Sequence, residues 1–128
     1  MSEDVQMSPI SEDASKPKGP LHVTIRVNVL AKKRKEALMI LGSIIEQTKL
    51  EEGCITCRLY QDAQEEGALM LQQLWSSEED LHRHLRSDRF HTVLLVVEMA
   101  IEPPEIRFES IATSAGVEVI QQARTQLM

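Results

Sequence analysis

The chain has 128 residues, 42% of them hydrophobic and 27% charged, with a formal net charge of −6. That is enough apolar material for one domain around one core. An acidic balance, no dense Lys/Arg cluster and 3% aromatic residues argue against nucleic acid or anionic membranes as partners, because both are polyanionic and single-strand binders need stacking platforms.

The longest apolar run, Val93 to Val97, falls far short of a membrane span. The N-terminus lacks the basic flank and apolar stretch of a secretory leader. Two cysteines imply no disulfide framework, so a reducing cytoplasm is the expected compartment.

Residues 1–19 are rich in Ser, Pro, Glu, Asp and Lys and offer no apolar face, so they are expected to form a disordered tail ahead of a domain at 20–128. From Leu21 to Leu30 the pattern alternates. Leu21, Val23, Ile25, Val27 and Val29 share one face, and His22, Thr24, Arg26 and Asn28 the other, which predicts a strand. Lys32 to Leu50 switches to helical spacing through Ala37, Leu38, Leu41, Ile44 and Ile45, and Gly53 supplies a left-handed stop.

Cys54–Gln61 and Ala68–Trp75 read as two strands of a hairpin joined by the polar turn Asp62–Gly67. Ser76 with Glu79 forms a capping box that starts a second helix. Its apolar face runs through Leu81 and Leu85, kinks near Ser87-Asp88, resumes with Phe90, Leu94, Val97 and Ile101, and stops at Pro103-Pro104. Glu105–Ala112 reads as a fourth strand and Val117–Leu127 as a short amphipathic helix.

The order β-α-β-β-α-β plus a helical tail predicts an α+β, ferredoxin-like split βαβ fold, with an antiparallel sheet carrying both main helices on one face. Alternate residues of the third strand, Leu69, Leu71, Gln73 and Trp75, are expected on the other, bare face. Burial against a second copy is the simplest cover for such a patch, so a homodimer is expected.

Two segments carry a family resemblance. Glu52-Gly53-Cys54 opens a strand that ends Leu59-Tyr60-Gln61-Asp62. Leu74-Trp75-Ser76-Ser77-Glu78-Glu79 is followed by His84-Leu85 and Ser87-Asp88-Arg89-Phe90. Both resemble the antibiotic biosynthesis monooxygenase (ABM) domain family, dimeric ferredoxin-like α+β barrels, over about Leu21 to Ile111. The family includes cofactor-free oxygenases of anthrones and quinols, a heme-degrading branch, and proteins that process autoinducer-2. Counted from Trp75, His84 stands where heme-degrading members place a helix Trp, and Leu94, which cannot ligate iron, stands at their axial His. The Asn that anthrone oxygenases carry four residues before the Trp is Leu71 here. His84 itself is similar to a histidine of the autoinducer-2-processing members.

Among the chemistry-bearing residues, Cys54 and Cys57 stand three apart in a strand and are expected on opposite faces, as unrelated, partly buried thiols. His82 and His84 diverge on a helix, and His91 lies about two turns from His84, so no metal site is expected. His84 is the candidate base, against the alternative of a solvated helix histidine. Trp75 serves either packing or the holding of a planar substrate. His22, Arg26 and Asn28, polar on a central strand, are candidates to line the barrel cavity, with Leu71 at the substrate.

The resemblance implies a cofactor-independent monooxygenase acting on a small electron-rich aromatic or quinol. His84 would be the base, Arg26 and Asn28 the oxyanion holders and Trp75 the wall, with no cofactor and no metal. The rival is a non-catalytic dimeric small-molecule-binding or accessory protein of the same fold.

Overall fold

A computed structural model describes residues 19–126, without the side chain of Gln126. The expected N-terminal tail lies almost wholly outside them, as does Leu127, the expected end of the terminal helix. The elements are β1 (Leu21–Asn28), α1 (Ala31–Thr48), β2 (Cys54–Gln61), β3 (Ala68–Trp75), α2 (Glu78–Leu85), α3 (Asp88–Val97), β4 (Glu105–Ser110) and α4 (Val117–Gln126). One antiparallel sheet has the order β2-β3-β1-β4, the ferredoxin-like arrangement the pattern predicts.

The alternation of β1 sets the layers. Leu21, Val23, Ile25 and Val27 are buried beneath α1 and α3, together with Ala37, Leu41, Ile44, Ile45, Phe90, Val93 and Val96. Register decides which face β3 gives to this core. Trp75 pairs with Leu21, Gln73 with Val23 and Leu71 with Ile25. Cross-strand partners project from the same side of a sheet, so Leu69, Leu71, Gln73 and Trp75 face the helices and are all at most 2% exposed. The expectation that they form the bare face is corrected by this register. The open face carries His22, Arg26 and Asn28 with Arg58, Tyr60, Met70, Gln72 and Leu74 instead.

A second correction concerns the cysteines. The β2–β3 register shifts between Cys54 and Thr56, so that Cys54 pairs with Trp75 and Cys57 with Gln73. The extra residue of this bulge inverts parity, and both cysteines project toward the helix layer rather than to opposite faces.

Capping explains the paired helices. Ser77, not Ser76, caps α2, its Oγ accepting from Asp80 N–H at 3.1 Å. Ser87 serves both helices: its hydroxyl donates to the His84 carbonyl at 2.6 Å and accepts from Phe90 N–H at 3.1 Å. It therefore ends α2 and starts α3, which makes the anticipated kink a full break. The buried face of α3 is Phe90, Val93 and Val96, whereas Leu94 and Ile101, placed on that face by the periodicity, are 40% and 53% exposed.

Between α1 and β2 the chain turns through Gly53 at φ +88°. A Cβ there would lie 2.2 Å from the Asp80 carboxylate at the start of α2. Gly53→Ala should therefore lower unfolding stability in urea by about 1–3 kcal/mol, from the left-handed conformation and the clash together. An unchanged midpoint would show that this turn is not constrained.

Candidate functional site

A line of polar groups runs through the otherwise apolar sheet–helix layer. Trp75 Nε1–H donates to Gln73 Oε1 at 2.9 Å. Gln73 Nε2 lies 3.3 Å from His84 Nε2, and His84 Nδ1 lies 3.0 and 3.1 Å from the two oxygens of Glu51. Arg89 Nη1 closes the line by pairing with Glu51, and its Nε donates to Gln47 at 3.2 Å. The Trp75 and His84 rings stack at a tilt with centroids 4.7 Å apart, and Phe90 meets His84 edge-on at 5.4 Å.

The five members come from four segments of the chain. β3 supplies Trp75 and Gln73, α2 supplies His84, the turn after α1 supplies Glu51, and α3 supplies Arg89. Trp75, Gln73 and His84 are each 0% exposed. Burial pushes the His84 imidazole below its ordinary value. Glu51 opposes that shift and the Arg89 cation adds to it. A neutral ring with its proton toward the carboxylate and its Nε2 lone pair toward Gln73 satisfies both nitrogens.

Elsewhere in the same sheet–helix layer lies a cavity of about 10 Å³ lined by aliphatic residues, among them Ile25, Leu41, Leu69, Leu71, Val93 and Val96, and by none of the residues of the polar line. Cys57 lies 3.8 Å from Gln73 Nε2 and is 1% exposed. Desolvation pushes its thiol up to about 12, so it stays protonated.

The residues singled out in the sequence divide between two faces. His84, Trp75 and Leu71 stand together on the helix side. His22, Arg26 and Asn28 stand on the open side, with the sheet between, so His84 is not beside Arg26. Arg26 reaches Asp62 at 3.4 Å and Glu65 at 3.3 Å, and Asn28 donates to Glu65 at 2.7 Å. These bonds tie the β2–β3 turn to the sheet; that to Glu65 chiefly raises the Arg26 value. An open groove of about 370 Å³ lies alongside, between Arg26, Tyr60, Asp62 and Met70. His22 Nδ1 is 3.8 Å from the Glu109 carboxylate. His82, on the outer side of α2, lies 3.7 Å from Glu78, and His91 is exposed, away from His84.

Glu51, Gln73 and Arg89 were missed by sequence reasoning. Glu51 stands 33 positions from His84, and no local pattern links them. Gln73 offered a signal: a lone amide in an apolar alternation needs a buried partner.

Comparison with known proteins places this architecture. Residues 20–94 match the model of the antibiotic biosynthesis monooxygenase family. The chain belongs to that family. It is 26% identical over 104 residues to an uncharacterized protein of Synechocystis, covering 80% of this chain and 71% of that one. A solved conserved protein from Methanosarcina mazei is 30% identical with TM-score 0.68, covering 73% of this chain and 93% of that one. A Mycobacterium tuberculosis protein is 24% identical, also with TM-score 0.68, covering 77% and 100%, and that likeness concerns the fold. Among the described residues, no helix is long and apolar enough to cross a membrane.

The His84 environment has a measurable consequence for stability. Its folded value lies below the ordinary 6.5, so the unfolded chain binds the proton more readily. Stability is therefore fully present above about pH 6.5 and falls as the pH drops through that value, by at most about 1.4 kcal/mol per pH unit. Urea titrations between pH 7 and 5 should show this slope, and His84→Gln should flatten it. An identical slope in the variant would place the titration elsewhere.

Proposed function

We propose that the chain is a cofactor-independent monooxygenase of a small electron-rich aromatic, of the anthrone or quinol type, with His84 as the base. The observation that supports this most is the pairing of the buried His84 with the half-buried Glu51 beside the Trp75 ring. A carboxylate on Nδ1 leaves the lone pair of the neutral ring at Nε2 and stabilises the imidazolium once a proton is taken. The Trp75 and Phe90 rings packed against a fully buried His84 would keep water from the anion that forms.

The chemistry needs little else. Loss of a proton to His84 leaves a carbanion or phenolate electron-rich enough to reduce O₂. In an anthrone, a methylene then becomes a carbonyl, one oxygen atom entering the product and the other leaving as water. The imidazolium and the Gln73 amide are the groups that would face the developing negative charge. His22, Arg26 and Asn28 have no part in this pocket. They belong to the open sheet face, which we assign to a homodimer contact through Tyr60, Met70 and Leu74.

One observation favours the rival reading, a small-molecule-binding or accessory protein without chemistry. The cavity of about 10 Å³ holds no more than a water, and both His84 nitrogens already have partners. A substrate must displace side chains to enter.

Oxygen uptake across a panel of hydroquinones and anthrones, with no added flavin, heme or metal, separates the two readings. His84→Ala should lower the rate by about 100-fold or more, the usual contribution of a positioned base, while His82→Ala stays near wild type. Equal effects of the two substitutions would remove His84 from the mechanism, and an inactive wild type would favour the binding protein. Sedimentation equilibrium at micromolar concentration should report a dimer; a stable monomer would contradict the assignment of the open face.

A further inference from the structure

The amide of Gln73 sits between a group that can only donate and a group that can do either. Trp75 Nε1–H has no acceptor capacity, and at 2.9 Å it claims Gln73 Oε1. The amide nitrogen must then face His84 Nε2 at 3.3 Å. An amide NH₂ has no lone pair to give, so the imidazole nitrogen opposite it has to be the acceptor. On the other side of the ring, Glu51 accepts from Nδ1–H at 3.0 Å.

We propose that Trp75 and Gln73 form a tautomer lock: positioning residues that hold the His84 proton on Nδ1 and its lone pair on Nε2, and so select ligands that bring a hydrogen-bond donor to that nitrogen.

The lock works because no single step away from it is tolerated. Turning the amide over would set NH₂ against the indole N–H and a carbonyl against an imidazole lone pair. With Trp75, Gln73 and His84 all 0% exposed, water cannot repair either mismatch. Protonating Nε2 would bring two donors face to face. Charges near the ring act in both directions. Glu51, from the turn after α1, favours the imidazolium, and Arg89, from α3, opposes it. Cys57, from β2, is a neutral thiol and adds no charge.

Ligand choice follows from the same polarity. A phenolic or enolic hydroxyl can replace the Gln73 N–H at Nε2, whereas a carboxylate brings only lone pairs. Only this ligand preference rests on the oxygenase reading. The lock is a property of the unliganded chain.

Long-range proton–nitrogen NMR of the ¹⁵N-labelled protein reads the lock directly. In the wild type, Nδ1 should resonate as the protonated nitrogen and Nε2 as the unprotonated one. Trp75→Phe frees the amide to turn its oxygen to His84, so the protonation midpoint should rise by about one pH unit or more. Gln73→Glu keeps the size of the side chain and sets an acceptor at the same place. It should move the midpoint in the same direction even if the tryptophan variant does not fold. A wild-type proton on Nε2, or wild-type midpoints in the folded variants, would overturn the lock. Added phenol should perturb Nε2 and benzoate should not. Equal perturbation, or none from either at millimolar concentration, would overturn the ligand preference while the tautomer result stands on its own.

Discussion

An imidazole buried without hydrogen-bond partners costs about 1–3 kcal/mol, and His84 avoids that cost at both nitrogens. Its position, fully enclosed between β3 and α2, is possible only because Glu51 and Gln73 reach it from other elements. A polar line inside an apolar layer has to be complete, since a half-satisfied one is worse than an apolar core. Much of the local architecture can be understood as completing it. Gly53 permits the turn that brings Glu51 under α2, and the double cap at Ser87 breaks the helix so that Arg89 and Phe90 return toward the same ring.

The open face of the sheet obeys a different constraint. There His22, Arg26 and Asn28 stay within reach of water, and Arg26 and Asn28 are tied to an acidic turn by Asp62 and Glu65. Those contacts border the open groove between Arg26, Tyr60, Asp62 and Met70. The sheet therefore separates residues that look like one site in the sequence, His84 and Arg26 above all.

The strands, the first helix and the α+β class were legible because alternation and helical spacing are local properties. Facing was harder. The alternation of Leu69, Leu71 and Trp75 shows that they share a side, but which side depends on their pairing with Ile25 and Leu21, and pairing is not local. Cys54 and Cys57 went astray for a related reason: one extra residue at a bulge inverts parity, and nothing in Cys-Ile-Thr-Cys announces it. His84 was legible as a candidate from its place after Trp75. Its partners were not, because Glu51 and Gln73 meet it only through the tertiary fold.

If the buried polar groups act as one unit, Gln73 and His84 are energetically coupled, and a double-mutant cycle on the two measures that most directly. Each leucine substitution alone leaves a buried partner unsatisfied, whereas the pair together removes both ends of the contact. Urea denaturation of Gln73→Leu, His84→Leu and the double variant should show the double costing less than the sum by at least about 1 kcal/mol. Additive losses, within about 0.3–0.5 kcal/mol, would mean the two side chains are independent neighbours and would contradict the account.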